Sequence, residues 1–294
     1  MINIMKYKWL YFGISLMFLL PGVISLLLFQ VRPSIDFTGG SLIELKSQVL
    51  KTDKDLIKNQ LKDEYQISAI QDSDVDQFII RGQVIDNQHK DLIIAKLKQT
   101  DPDTQELRFE TVGPTLGKEL MAKTLTAVVI VSTFITLYVG WRFNELKYGV
   151  SAVLAMFHDT LILLGSFSLL GHFWGVEVDV LFVTALLTTL SFSVHDTIVV
   201  FDRIREKRKK VSSVKYVDIL NAAVLETLGR SINNSTTIIV MLLALAILGG
   251  ASIKWFAIAL LIGAVTGTYS STFTAVPLLL LWDSAKKFLK SRKK

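Results

Sequence analysis

The sequence predicts a polytopic α-helical membrane protein with six transmembrane helices and a small ferredoxin-like α+β domain between helices 1 and 2. Three observations predict it. Apolar runs recur at membrane length, the chain of 294 residues is 51% hydrophobic with a mean hydropathy of +0.45, and one stretch of soluble composition interrupts the runs.

Residues 9–31 are apolar for about 22 positions after Lys6 and Lys8, too long for a signal-peptide core and without a clear small-x-small cleavage site after it. This reads as an uncleaved first span, and 1–31 as a cytoplasmic amino end plus that helix. Pro21-Gly22 predicts a kink, tolerated because neighbouring helices satisfy the freed backbone groups.

From 32 to 119 the composition changes to 12 Lys+Arg against 16 Asp+Glu. Alternation over 41–46, 67–71, 77–81 and 106–112 predicts four short strands, the middle two joined by the turn-rich DSDVD. Helical spacing of Leu56, Ile57, Leu61 and Tyr65 over 53–65, with Thr52 or Asp53 as cap, and of Ile93, Ile94 and Leu97 over 86–97 predicts two helices. The order βαββαβ is that of a ferredoxin-like split unit.

Gly113, Pro114 and Gly117 end that pattern, and apolar runs resume at 120–139, 148–170, 178–201, 231–248 and 255–282, so 120–282 holds spans two to six. The last run is longer than one bilayer needs, which predicts tilt or extension beyond it. A basic cytoplasmic tail follows at 283–294.

Orientation follows from Lys and Arg in the short loops. The amino end has two, 141–147 two, 202–230 eight and the tail six, whereas 171–179 has none and 249–254 one. Both termini are expected in the cytoplasm, with 32–119 extracytoplasmic. The cluster KRKK at 207–210 and the tail KKFLKSRKK read either as docks for an RNA-rich partner or as seats on anionic lipid that fix topology.

The chain has no cysteine, and its four histidines lack the i, i+4 spacing of a zinc helix. With no glycine-rich phosphate loop or GxSxG elbow either, no catalytic, metal or cofactor site is expected. Any energetic work would draw on an ion gradient or on a partner that binds nucleotide.

The functional candidates lie in the apolar runs. SFSVHDTIVVFDRIRE, 191–206, carries His195 and Asp196 inside a run and Arg203 seven residues on, about 10 Å along a helix at ~1.5 Å per residue. An ionisable group at a helix centre costs at least ~2.5 to 3.5 kcal/mol on insertion scales, so a chain that keeps one supplies a partner or a wet path. Asp196 is the first candidate, against the plainer reading of a carboxylate that only bonds a neighbouring helix. Arg230 opens the fifth span at the same depth, with Ser231, Asn233, Asn234, Ser235, Thr236 and Thr237 behind it. A cation favours a carboxylate's charged form and dehydration its neutral form, so an aspartate alternating between the two loads and releases a proton. A static salt bridge is the plainer alternative. HDT occurs twice, at 158–160 and 195–197, with Asp159 near the middle of the third span. The run Gly263, Ala264, Gly267, Thr268, Ser270 and Ser271 lays a small-residue face on the last span, read as packing.

IDFTGG (35–40), VGPTLGKEL (112–120), the first HDT, SFSVHDTIVVFDRIRE, ETLGRSINNSTT (226–237) and GTYSSTFTAVPLL (267–279) together resemble the SecF family of bacterial protein-export proteins. The resemblance covers nearly the whole chain. It implies a six-helix half of a transporter-like pair with SecD, related to the proton-driven RND exporters and set beside the SecYEG channel in the cytoplasmic membrane. YajC- and YidC-type proteins and the exported polypeptide are the further partners implied, with no cofactor and no nucleic acid. The implied work is use of the proton motive force to promote translocation and release at the outer face. The family's proton-relay residues match Asp196 and Arg230, with His195 and Asp159 as additional candidates. His195 stands where the family commonly has asparagine, and histidine titrates near neutral pH. Two other readings stay open: a stand-alone RND-like exporter of a lipid or small molecule, and a structural scaffold.

Overall fold

The structure, a computed structural model, describes residues 3–62, 65–143, 145–210 and 214–291. In chain order a 3-10 turn, Ile4–Tyr7, leads into α1 (Lys8–Phe29); then come α2 (Ile35–Thr38), β1 (Gly40–Lys46), α3 (Gln48–Thr52), α4 (Lys54–Leu61), β2 (Ile67–Asp74), β3 (Gln77–Gly82), α5 (Asn87–Lys98) and β4 (Gln105–Val112). Six helices complete the chain: α6 (Pro114–Arg142), α7 (Leu146–Trp174), α8 (Val180–Lys210), α9 (Tyr216–Leu248), α10 (Ala251–Phe273) and α11 (Ala275–Ser291). Among the described residues six segments are long and apolar enough to cross a membrane, the last formed by α10 and α11 together.

Two compact units divide the chain. One comprises residues 1–31, 127–176 and 181–294, the other 32–126 and 177–180. The second unit therefore takes in the start of α6 and a four-residue segment from the α7–α8 connection.

The smaller unit is built on an antiparallel sheet in the order β2-β3-β1-β4, the ferredoxin-like arrangement that the strand and helix order predicts. Register pairs Ile43 with Ile80 and Leu45 with Phe78. Those four side chains are fully buried with Leu50, Ile57, Leu61 and Leu97, so alternation on the strands and the helical stripes meet in one core. Two details depart from the sequence reading. The first helix begins as two, because Ser47 caps α3 at Leu50 N and Asp53 then caps α4 at Leu56 N, each at a fresh start. Its expected end at 63–64 lies outside the described residues. β2 runs on through most of DSDVD to Asp74, since the turn needs only Val75 and Asp76, the latter at φ +58.

The long helices outrun the apolar runs. α6 starts at Pro114, six residues before the expected span, because a proline at the first helical turn sacrifices no hydrogen bond. α9 starts at Tyr216, fifteen residues before its expected span. Its first turns bury Ile219, Leu220, Ala223 and Val224, and Asn221 Oδ1 accepts a bond from Met5 N at 2.9 Å. The stretch 202–230 is thus mostly helix, and its cations face partners: Arg208 meets Glu145 at 2.9 Å, Lys207 meets Glu226 at 2.6 Å and Lys210 meets Glu206 at 2.7 Å. Exposed pairs of this kind contribute about 0–1 kcal/mol each, so they orient the helix ends more than they stabilise them. Of the basic tail, residues 292–294 lie outside the described residues.

The long last run breaks at Thr274. Pro277 has no N–H to give to the carbonyl of Phe273 four residues back and its ring crowds that carbonyl, so α10 ends and α11 begins. Pro21, by contrast, sits inside an unbroken α1. Beside it Gly22 packs on Gly165 of α7, where a Cβ on Gly22 would lie 3.1 Å from the Gly165 Cα. Ser25 and Ser168 close the same contact with a 2.8 Å hydrogen bond.

Gly263 approaches α8 so closely that any Cβ would collide with the side chain of Thr189, whereas a Cβ at Gly140 meets nothing within 4 Å. Gly263→Leu is expected to lower stability by about 1–3 kcal/mol through overpacking, read as a lower thermal midpoint in detergent, with Gly140→Ala close to wild type. In the smaller unit burial pushes the Tyr65 phenol up to about 12 from 10.0. The folded state thus holds that proton more tightly than the unfolded chain, so the associated stability is complete below pH 10 and lost from there to about pH 12. Alkaline unfolding followed by circular dichroism should be less steep in that window for Tyr65→Phe; an unchanged slope would refute this.

Candidate functional site

α8 runs from Val180 to Lys210 without a proline or glycine, a single rod carrying polar groups at fixed depths. Asp196 is 7% exposed and accepts a hydrogen bond from the Ser231 hydroxyl of α9. It lines a cavity of about 300 Å³ together with His195, Val199, Thr227, Arg230 and Asn234. A second hollow of about 860 Å³ shares Val199, Thr227 and Arg230 with it and is lined by the charged groups Arg142, Asp202, Arg203, Arg205, Glu206, Lys209 and Glu226. The buried carboxylate therefore faces a polar recess that adjoins the charged end of the helices.

Asp196 and Arg230 come to one cavity but are not ion-paired among the described residues. Consecutive residues on a helix point about 100° apart at 3.6 residues per turn. Ser231, 8% exposed, turns toward Asp196, and Arg230 is left exposed at the cavity wall. The static salt bridge left open as the plainer alternative is not present among the described residues; Asp196 takes a hydroxyl bond, with Arg230 on the wall of the same cavity. Arg203 serves neither group; it bonds Glu226 at 2.6 Å and also pairs with Glu206.

The two HDT copies behave differently. His195 is exposed and faces the cavity. His158 is buried and its Nδ1 lies 2.9 Å from Oδ1 of its neighbour Asp159, whose Oδ2 accepts from Ser270 Oγ of α10 at 2.6 Å. Asp159, 1% exposed, is not among the residues that line the Asp196 cavity.

α10 is the common neighbour. Ser270 reaches α7, Thr268 bonds Ser235 of α9, Gly263 and Gly267 lie against Thr189 and Ser193 of α8, and Tyr269 donates to the carbonyl of Tyr11 in α1 at 2.7 Å. The small-residue face read as packing also carries hydroxyls that bond buried groups on two neighbours, Asp159 of α7 and Ser235 of α9. Ser231 and Ser270 were not legible as partners of the two aspartates: hydroxyls in apolar runs are a signal, but only the packing chooses which carboxylate each one meets.

A family model described as "Protein export membrane protein SecD/SecF, C-terminal" matches residues 92–285, and one described as "SecD/SecF GG Motif" matches 24–48. The chain belongs to the SecD/SecF family. It is 38% identical to the protein translocase subunit SecF of Thermobaculum terrenum, across 99% of this chain and 96% of that one. With the SecF of Anaerolinea thermophila the identity is also 38%, over 97% and 96%. The crystal structure of SecDF, a translocon-associated membrane protein from Thermus thermophilus, superposes with a TM-score of 0.86 at 29% identity. That match takes in 96% of this chain and 39% of the SecDF chain, so the SecF-like chain spans about two fifths of it. The SecD/SecF family model ends at 285 and covers both HDT copies, Arg230 and the α10 face.

Ser270→Ala removes the donor to a buried carboxylate oxygen, and an unsatisfied buried polar group costs about 1–3 kcal/mol. Thermal unfolding in detergent should show that loss, while Ser284→Ala, whose hydroxyl bonds only its own helix at Leu280 O, stays near wild type. Equal midpoints for the two variants would count against the Asp159–Ser270 bond.

Proposed function

We propose that this chain is the SecF-type subunit of the Sec protein translocase and that, with a SecD-type partner, it uses the proton motive force to promote translocation and release of exported proteins. The chain is a multi-pass membrane protein of the SecD/SecF family. Fusion of a SecD part and a SecF part in the SecDF relatives of Bacillus subtilis and Thermus thermophilus supports the SecD partnership. The SecYEG channel, YajC- and YidC-type proteins and anionic lipid at the basic helix ends are the further partners of this reading. It sets both termini in the cytoplasm and the domain of residues 32–119 on the outer side of the cytoplasmic membrane.

The observation that carries the proposal is the Asp196 carboxylate, buried beside Arg230 in a recess that adjoins a charged hollow. An ionised Asp196 is supported by the Ser231 hydroxyl and by the field of Arg230; once protonated it no longer needs either, and the contact between α8 and α9 is free to change. Proton loading is thereby linked to helix packing, which is what coupling a gradient to movement requires. His195, exposed in the same cavity, offers a second titrating group at the entrance, and Asp159 is a buried carboxylate of the neighbouring helix. A stand-alone exporter would need its own second half; copurification of a SecD-type chain from native membranes separates the two readings.

Asp196→Asn keeps the shape and removes the titration. In cells making the variant at normal abundance, release of a folded reporter from the outer membrane face should slow severalfold, and a proton uncoupler should add little further effect on that step. Normal, uncoupler-sensitive release by the variant would make Asp196 structural and refute the relay.

A further inference from the structure

The IDFTGG motif is not absorbed by the proton site, and its geometry is unusual. Ser34 caps the single turn of α2 by accepting from Asp36 N, and Gly39 leaves that turn at φ +74, in the left-handed region that disfavours a side chain. A Cβ on Gly39 would lie 2.8 Å from the Pro114 Cα, and one on Gly117 2.8 Å from the Gly39 backbone N. The turn is thus pressed against the first residues of α6. On its other side the segment 177–180 is stitched to the residues just before it. Pro33 and Val178 form a parallel bridge, Val178 N donates to Arg32 O at 2.7 Å and Ser34 N to Val178 O at 2.9 Å. Val180 N, at the start of α8, donates to Asp36 Oδ2 at 3.2 Å. Glu177 meets Arg81 of β3 at 3.1 Å, their side chains 15% and 13% exposed. Burial pushes the Glu177 carboxyl up and Arg81 down, each opposed by the other's charge.

One turn therefore gathers three helix ends: it follows α1, it packs against the start of α6, and it holds the start of α8. The family's two glycine-bearing motifs, 35–40 and 112–117, meet there because only glycine permits that approach. From Val180, α8 continues for sixteen residues to Asp196, about 24 Å at ~1.5 Å per residue. With no proline or glycine to kink it, the helix transmits displacement along its length.

We propose that this junction is a permanent strap that makes the sheet domain follow α8, with Asp36 and Glu177 as its positioning residues. A shift of α8 at Asp196 then reaches the domain through the first turn of that same helix, in addition to the chain's entry after α1 and its exit through α6. A peptide-bonded joint reinforced by backbone hydrogen bonds and a largely buried ion pair stays closed through a cycle, so its role is to transmit and not to gate. The proposal rests on the export reading, and release by the wild-type chain in the same cells tests that reading separately.

The chain lacks cysteine, so a Pro33→Cys/Val178→Cys pair reports on the strap alone; residues bridged in this way stand within the Cα separation that a disulfide spans. The second variant inserts two glycines between Val180 and Leu181, which leaves the strap contacts at 177–180 in place but breaks their continuity with the rest of α8. Both are measured in native membranes with the partner chains present. The oxidised cysteine pair is expected to release the reporter at the wild-type rate. The insertion is expected to slow release severalfold at equal abundance, while the same cysteine pair introduced into it still oxidises. Asp36→Ala, which removes one bond without lengthening the chain, should give a smaller defect. Arrest on oxidation with recovery under a thiol reductant would overturn the proposal in favour of a gate. Wild-type release by the insertion variant would overturn it in favour of a plain loop.

Discussion

A polar group buried among apolar helices costs free energy unless a neighbour bonds it, and in this chain α10 supplies two such partners, Ser270 for Asp159 of α7 and Thr268 for Ser235 of α9. Its hydroxyls and glycines touch α7, α8 and α9, and Tyr269 ties it to α1. These bonds exist only because small side chains bring the helix axes close. A larger residue at Gly263 or Gly267 would collide with α8 and force α10 away from it. Close packing and polar satisfaction are one requirement here, since no water is at hand to take over a lost bond.

The break at Thr274 belongs to the same logic. Pro277 frees the carbonyl of Phe273, and the Thr274 hydroxyl meets Ser15 of α1 at 3.1 Å, so the interruption falls where a neighbour offers a hydrogen bond. The paired aspartates show how environment separates two identical tripeptides. Asp159 is enclosed between His158 and Ser270; Asp196 has one hydroxyl on one side and a cavity with a guanidinium on the other. The first arrangement occupies both Asp159 oxygens and favours a fixed structure. The second leaves room for a change of charge, and the charged hollow beside it gives that change somewhere to come from.

The sheet domain is joined to the helices at more places than its two ends. A domain inserted between two helices is held by two chain crossings. Here the segment 177–180 adds two more, and its backbone bonds run to the residues that follow α1. The ferredoxin-like core supplies stiffness: β1 and β3 pair in one unbroken register, and the ion pair from Arg81 joins β3 to the strap.

Much of this was legible in the residues. Six apolar runs, the βαββαβ order, the depth of Asp196 and the shared level of Arg230 follow from period, length and composition, because the cost of exposing apolar or burying charged groups is a property of the residues themselves. Helix ends were less legible. The starts of α6 and α9 are polar enough to read as loop, and only contacts such as Asn221 with Met5 show why they are helical. Partner choice was decided by tertiary structure alone. One position along α9 puts Ser231 and not Arg230 on Asp196, a rotation of about 100° that no composition records. The segment 177–180 reads as a short connection, yet its backbone bonds lie with residues nearly 150 positions away, and a bridge between such distant segments is fixed by the fold as a whole.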